Sequence, residues 1–349
     1  MTADRPGPGA AGRPDLAAAA DRPDLAAGDA DRPDLAAGDA DRPDLAAGDA
    51  DRPGPGAGDA DRPGPGAGEA DARLVVAGVE VARYVVRPDL APEHGPRPYL
   101  HPVRTRAGTP VTDALPADHV WHLGASLAVQ DVDGVNLWGG RTYVRGTGYT
   151  WRDDHGVIAH TGWQERAADR LTHDLDWRDR TGRTLLRERR RLTAAPAGPD
   201  AWWLDVSSTL TAATGRDVHL GSPATNGRPG GAGYGGFFWR AVTADEARVF
   251  TADATGEEAV NGSAAPWLAL TGTGPGGGAY TLVFTGLGPG DRWFVRTAMY
   301  PGVCAAYAFD RPAVVRAGTP RRGRHRVLVA DGHLDRAAVA ARLADPARD

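Results

Sequence analysis

Between Arg97 and Glu165 the chain gathers the side chains with which it could do acid–base chemistry. Five of the ten histidines fall there (His101, His119, His122, His155 and His160), together with Trp121, Trp138, Trp151 and Trp163. Imidazoles titrate near neutral pH, and set beside flat aromatic rings they suit a site for a polar, ring-shaped small molecule. The densest signal is Asp118-His119-Val120-Trp121-His122. On a strand His119 and His122 would face opposite ways, whereas in a turn the two rings can converge. Converged, one imidazole serves as general acid or base, or the pair binds a metal through ring nitrogens. The structural alternative is a pair of histidines hydrogen-bonded in a polar core.

His160 and Glu165 lie on the next dense stretch. Joined to His119 or His122 they would complete either a two-histidine, one-carboxylate metal set or the base and acid of a proton-transfer enzyme. Spacing alone does not separate the two. The reading adopted makes His119, His122 and Glu165 the acid–base groups, with no metal ligands and no cofactor assigned. Arg104, beside His101, has planar donors that clamp a carboxylate or a hydroxyl-rich ligand, or else pair an acidic neighbour such as Asp118. Arg296 carries the same two readings. With His101, Trp138 and His160, and with Asn226 and Arg228 from a glycine-rich segment, these arginines complete the expected ligand-binding set. Arg104, His119, His122, His160 and Glu165 are expected to line one concave site.

Composition removes several chemistries. The 349 residues contain no lysine, which excludes a Walker A phosphate loop and any lysine Schiff base. Cys304 is the sole cysteine, so no internal disulfide or cysteine-rich zinc site is available, and its apolar setting marks an inert buried thiol. A net charge of −5 supplies no basic field for nucleic acid. No apolar run approaches the ~20 residues that span a bilayer, and no signal-peptide pattern precedes the repeats, so a cytoplasmic protein with no membrane partner is expected. No Gly-x-Ser-x-Gly elbow appears, which disfavours serine hydrolysis.

The elements that must position these residues read as strands. Arg73 to Ala77 and Val79 to Val86 form an opening hairpin, and Leu171, His173, Leu175 and Trp177 alternate with polar neighbours. Trp202, Leu204, Val206, Ser208 and Leu210 repeat the alternation, with Trp203, Asp205 and Ser207 opposite. Later strands are expected at Trp267–Thr271, Tyr280–Phe284, Trp293–Thr297 and Arg326–Val329. Only residues 331–345 read as a helix, with Asp331 as N-cap. Many short strands and one terminal helix predict an all-β protein, a large antiparallel sandwich over 71–349. Residues 1–70 are different. DRPDLAAGDA recurs three times in tandem between 21 and 50, with Pro in every unit and one Leu at most to bury, which predicts a disordered tether whose partner the sequence leaves open. The segment 221–240 contains a GxGxxG string at Gly231, Gly233 and Gly236, but FFWR follows it as a strand, so a dinucleotide loop is disfavoured.

The motifs PRPYLHPVRTRAGTPVT, PADHVWHLG, NLWGGRTYVRG, GSPATNGRPGGAGYGGFFWR and WFVRT resemble bacterial proteins catalogued as "PmoA family", a domain of unknown function. The resemblance covers most of 72–340. It implies a supersandwich fold similar to galactose-mutarotase-like proteins. The name echoes a membrane subunit of methane monooxygenase, which a chain without an apolar span cannot be. Fold analogy and the His/Trp/Arg mixture together point to binding or acting on a sugar- or polyol-like molecule by His/Glu acid–base chemistry, leaving open whether there is turnover. The alternatives are a non-catalytic carbohydrate-binding module and a soluble metal-dependent oxygenase.

Overall fold

The computed structural model describes residues 71–344, and the tether expected over 1–70 lies outside the described residues. A seven-stranded sheet runs in the order Ala72–Val76, Val79–Val85, Tyr99–Val103, Ala125–Ala128, Gly236–Arg240, Gly302–Ala306, Arg292–Arg296. An eight-stranded sheet runs Arg248–Phe250, Trp267–Thr273, Ala279–Thr285, Arg321–Asp331, Ala201–Ala212, Thr184–Pro196, Arg170–Arg178, Val157–Arg166. Every ladder within these two sheets is antiparallel. The protein is the large antiparallel β-sandwich that the strand spacing predicts. No helix among the described residues is long and apolar enough to cross a membrane.

One shared core joins the sheets. Leu74, Val81, Leu100, Trp239 and Trp293 from the first meet Leu171, Trp202, Leu204, Leu282 and Val327 from the second. Successive side chains alternate across a strand, so Phe237 and Trp239 enter this core while Phe238 between them enters a second cluster with Trp138, Phe294 and Tyr300. Residues 236–240 are therefore buried on both faces, which explains an uninterrupted apolar run where one-sided burial would give alternation.

Two expectations need correction. Trp203 alternates away from the shared core as expected, yet it is buried, because the C-terminal helix Arg336–Ala344 packs Val339 over that outer face. The helix also starts later than residue 331. Asp331 ends a strand, and Asp335 takes the capping role by accepting a hydrogen bond from the Ala338 N–H at 2.8 Å. The strand at Ala279–Thr285 pairs Tyr280 with Asp331, and this ladder holds the chain extended through residue 331.

Candidate functional site

Phe238 and Arg240 point to the same face of their central strand, and the turn carrying residues 116–122 lies over them. That turn is a double one: the His119 N–H donates to the Pro116 carbonyl at 3.0 Å and the His122 N–H to the His119 carbonyl at 2.8 Å. It therefore brings the two imidazoles together, with centroids 4.6 Å apart and planes within 15°. Tyr300 packs at 4.9 Å from both rings, and Phe238 at 4.9 Å from His122.

Arg240 ties the pair. One terminal nitrogen donates to both Asp118 oxygens at 3.1 Å, and the other reaches Nδ1 of His122 at 3.3 Å. Asp118 in turn accepts from Nδ1 of His119 at 2.9 Å. Burial raises the Asp118 carboxyl, but the His119 hydrogen bond and the Arg240 charge outweigh it and bring the group down to about 2. An ionised Asp118 accepts only, so His119 carries its proton on Nδ1 and, when neutral, presents a bare Nε2. A guanidinium donates only, so His122 accepts at Nδ1 and carries its proton on Nε2. Burial first, then the charges at His119 and Arg240, hold the His122 pKa well below the ordinary imidazole value and keep that ring neutral. In both rings the hydrogen bond shared with a neighbouring side chain runs through Nδ1, not Nε2. The two stacked rings thus hold opposite tautomers, one a proton acceptor and the other a donor.

Behind the pair lies a rigid backing. Buried Arg97 donates to the carbonyls of Gly95, Trp121 and Trp138, at 2.9, 3.0 and 2.8 Å, and its Nε reaches Ser126. Gly140 adopts φ +69° against the Trp121 indole, where a Cβ would stand 2.5 Å from Cε2. His155 donates from Nε2 to the Gly140 carbonyl at 2.7 Å. Trp151, 52% exposed, meets Trp121 edge-on at 6.3 Å.

Of the other expected residues only Trp138 packs against this cluster, and it does so from behind. Glu165 gives its carboxylate to Arg170 at 3.3 Å and Thr172 at 3.4 Å on a half-exposed strand surface. His160 turns into a separate network, 2.9 Å from His173. Two irregularities of register, at 160/162 and 163/165, separate the placements of His160 and Glu165 on their strand. His101 bonds Thr112 at 3.1 Å, and burial, then Arg104, lower its pKa to about 4. Arg104 donates to the Gly108 carbonyl at 3.3 Å. Trp138 is 2% exposed and packs at 5.9 Å behind His122, so it has no face for a ligand. Arg296 pairs with Glu257 at 3.6 Å and donates to the Val295 carbonyl. Asn226 holds Asp131 at 3.1 Å in the wall of a cavity that the histidine pair does not line, and Arg228 lies 5.0 Å over Tyr149. No group of three or more His, Cys, Asp or Glu placed to hold a metal occurs among the described residues.

Sequence reasoning found both histidines but missed Arg240, Arg97 and Tyr300. The available signal was a charged residue closing an apolar strand, FFWR: a buried arginine needs acceptors, and those acceptors mark a site.

An antiparallel two-sheet sandwich bearing a fixed histidine pair on a turn defines the class, an all-β protein with a candidate acid–base site. The chain belongs to the family of unknown function DUF6807, which it matches over residues 71–344. That description assigns no activity, and nothing in it supports the PmoA name expected from the motifs. The fold is also similar to a crystal structure from Escherichia coli K12, of a protein provisionally assigned as an aldose 1-epimerase. The two share 12% identity at a TM-score of 0.40, over 75% of this chain and 99% of that one. No curated protein matches the chain.

Proposed function

We propose that this protein acts on a sugar- or polyol-like small molecule by proton transfer at His119 and His122. The observation that carries the reading is the opposed protonation of the two rings, fixed by the bridge from Asp118 through Arg240. Neutral His119 takes a proton from a ligand hydroxyl at Nε2: the ligand O–H bond breaks, the N–H bond forms, and the electron pair stays on oxygen. His122, as a neutral imidazole, donates its Nε2–H to the oxygen that gains charge. Trp121 and the exposed Trp151 offer flat apolar faces to the C–H side of a ring-shaped ligand. Glu165, tied to Arg170 away from the pair, has no part in this scheme.

The test follows one anomer of reducing sugars by polarimetry with the purified chain, and melting temperature alongside. His119→Ala and His122→Ala should each abolish turnover while melting within a few degrees of the parent. Turnover unchanged in both variants would overturn the proposal. Saturable sugar binding without turnover in the parent would move the reading to a carbohydrate-binding module, the alternative in which the same groups only bind.

A further inference from the structure

A cavity of about 300 Å³ lies between the hairpin Thr142–Val144/Gly148–Thr150, the start of the glycine-rich segment and residues 130–136. None of its lining residues belongs to the His119–His122 cluster. Its size is at the lower end for ligand pockets, about 300–1,000 Å³. Most of its polar wall is already held in place. Asp131 accepts from Asn226 at 3.1 Å and from the Gly134 N–H at 2.8 Å. Asp154 accepts from Thr142 at 3.2 Å and pairs with Arg152 at 3.4 Å. Arg145 donates to the Thr225 carbonyl at 3.4 Å across the gap, past Gly227, whose φ of +100° and missing Cβ leave room for the guanidinium.

Gln130 is the exception. It is 1% exposed and lines the cavity, and neither its amide nitrogen nor its amide oxygen has a hydrogen-bond partner among the described residues. An unmet buried amide is costly, and a side chain of similar length without polar atoms would remove the cost.

We infer that this cavity is a binding site for a small, uncharged molecule bearing adjacent hydroxyl groups, recognised by the Gln130 carboxamide. The amide presents one donor and one acceptor side by side, which a vicinal diol matches, because each hydroxyl both gives and takes a hydrogen bond. The wall favours a neutral ligand: two carboxylates, Asp131 and Asp154, balance two guanidiniums, Arg145 and Arg152. The carboxylates and Arg145 keep spare lone pairs and N–H groups for further hydroxyls. This site does not rest on the proton-transfer reading, and each can fail without the other.

Only two glutamines occur in the sequence, Gln130 and Gln164. Gln164 donates to Asp174 at 2.7 Å on an exposed strand, so it serves as an internal reference. Full-length protein carrying 15N in its glutamine side chains is titrated at millimolar concentrations with cis-1,2-cyclohexanediol, myo-inositol, cyclohexanol and acetamide. The Gln130 amide pair should shift saturably with the diol and with inositol, and the Gln164 pair should stay still. Cyclohexanol, the same ring without the adjacent hydroxyl, should leave both unmoved. No Gln130 response to either diol, an equal response to cyclohexanol, or a response to acetamide alone would overturn the inference. In a second arm, Gln130→Met should melt no lower than the parent and lose the inositol-dependent rise in melting temperature, whereas His119→Ala should keep that rise. A Gln130→Met protein that keeps it would also overturn the inference. If that variant does not fold, the titration of the native protein still decides.

Discussion

Nδ1 of His160 stands 2.9 Å from Nδ1 of His173, so one nitrogen carries the proton between them and the other accepts it. The direction is set three groups away. Buried Arg190 forks onto Glu188 at 2.7 and 2.8 Å and also donates to the Tyr84 hydroxyl at 3.1 Å. Tyr84 can then pass its own proton to Nε2 of His173, 3.0 Å away, which leaves Nδ1 of His173 to donate to His160. The reverse order would strand the Tyr84 proton, buried, without an acceptor among the described residues. The chain of bonds crosses from one sheet to the other, because Tyr84 lies in the seven-stranded sheet and His173 and Arg190 in the eight-stranded one.

Tyr84→Phe should therefore destabilise without emptying any space. It leaves Nε2 of His173 without its donor and Arg190 with one bond fewer, at a cost of about 1–3 kcal/mol. Urea denaturation of variant and parent checks this. A midpoint unchanged within error would mean that the hydroxyl contributes nothing to joining the sheets.

Acid should weaken the fold starting just below neutrality. Burial is the leading cause that lowers the pKa of His101 and His325 to about 4, of His173 to about 2, and of His122 and His160 below the free-imidazole value. The folded-state values lie below the unfolded one, so the unfolded chain binds protons that the native chain refuses. Stability is then full above about pH 6.5 and falls as pH drops, down to about pH 4 for His101 and His325, with a slope on the order of 1 kcal/mol per pH unit for each fully buried group. Denaturation at pH 7.5, 6 and 5 measures the slope. His325→Gln, which can still bond Tyr307, should flatten it by about one proton, and an unchanged slope would remove His325 from the account.

Arg240→Lys should separate charge from geometry at the candidate site. A lysine keeps the positive charge near Asp118 but lacks the planar fork that reaches Asp118 and His122 together. His122 then loses the partner that fixes its tautomer. Turnover should fall tenfold or more, with a shifted pH profile, while KM changes little. A variant with the parent's pH profile would show that Arg240 serves only to support the turn.

Two glycines separate crowding from backbone strain. Gly140 and Gly146 have φ of +69° and +77°, but a Cβ at Gly140 would strike Trp121 and one at Gly146 would meet nothing within 4 Å. Gly146→Ala should cost only the left-handed backbone penalty, about 1–2 kcal/mol. Gly140→Ala should cost more and should move the Trp121 indole N–H resonance. Equal losses of melting temperature in the two variants would contradict the close packing of Gly140 on Trp121.

The sequence alone determined the sandwich, because period-2 burial is written locally: Leu171, His173, Leu175 and Trp177 could satisfy only a strand with one face inward. It also singled out Asp118, His119 and His122, because histidines spaced three apart beside an acid are rare enough to stand out. Which groups meet across the fold was decided by the tertiary structure. Glu165 and His160 are near His122 in sequence, yet strand register sends them to Arg170 and His173. Arg240, more than a hundred residues from the pair, is carried under it by the pairing of its strand with Ala125–Ala128, the strand that begins just after His122 and Gly124. Trp203 became core only when the C-terminal helix covered its face. Local pattern fixes which way a side chain points, whereas the partner it meets depends on long-range strand pairing, and no single stretch of sequence contains that pairing.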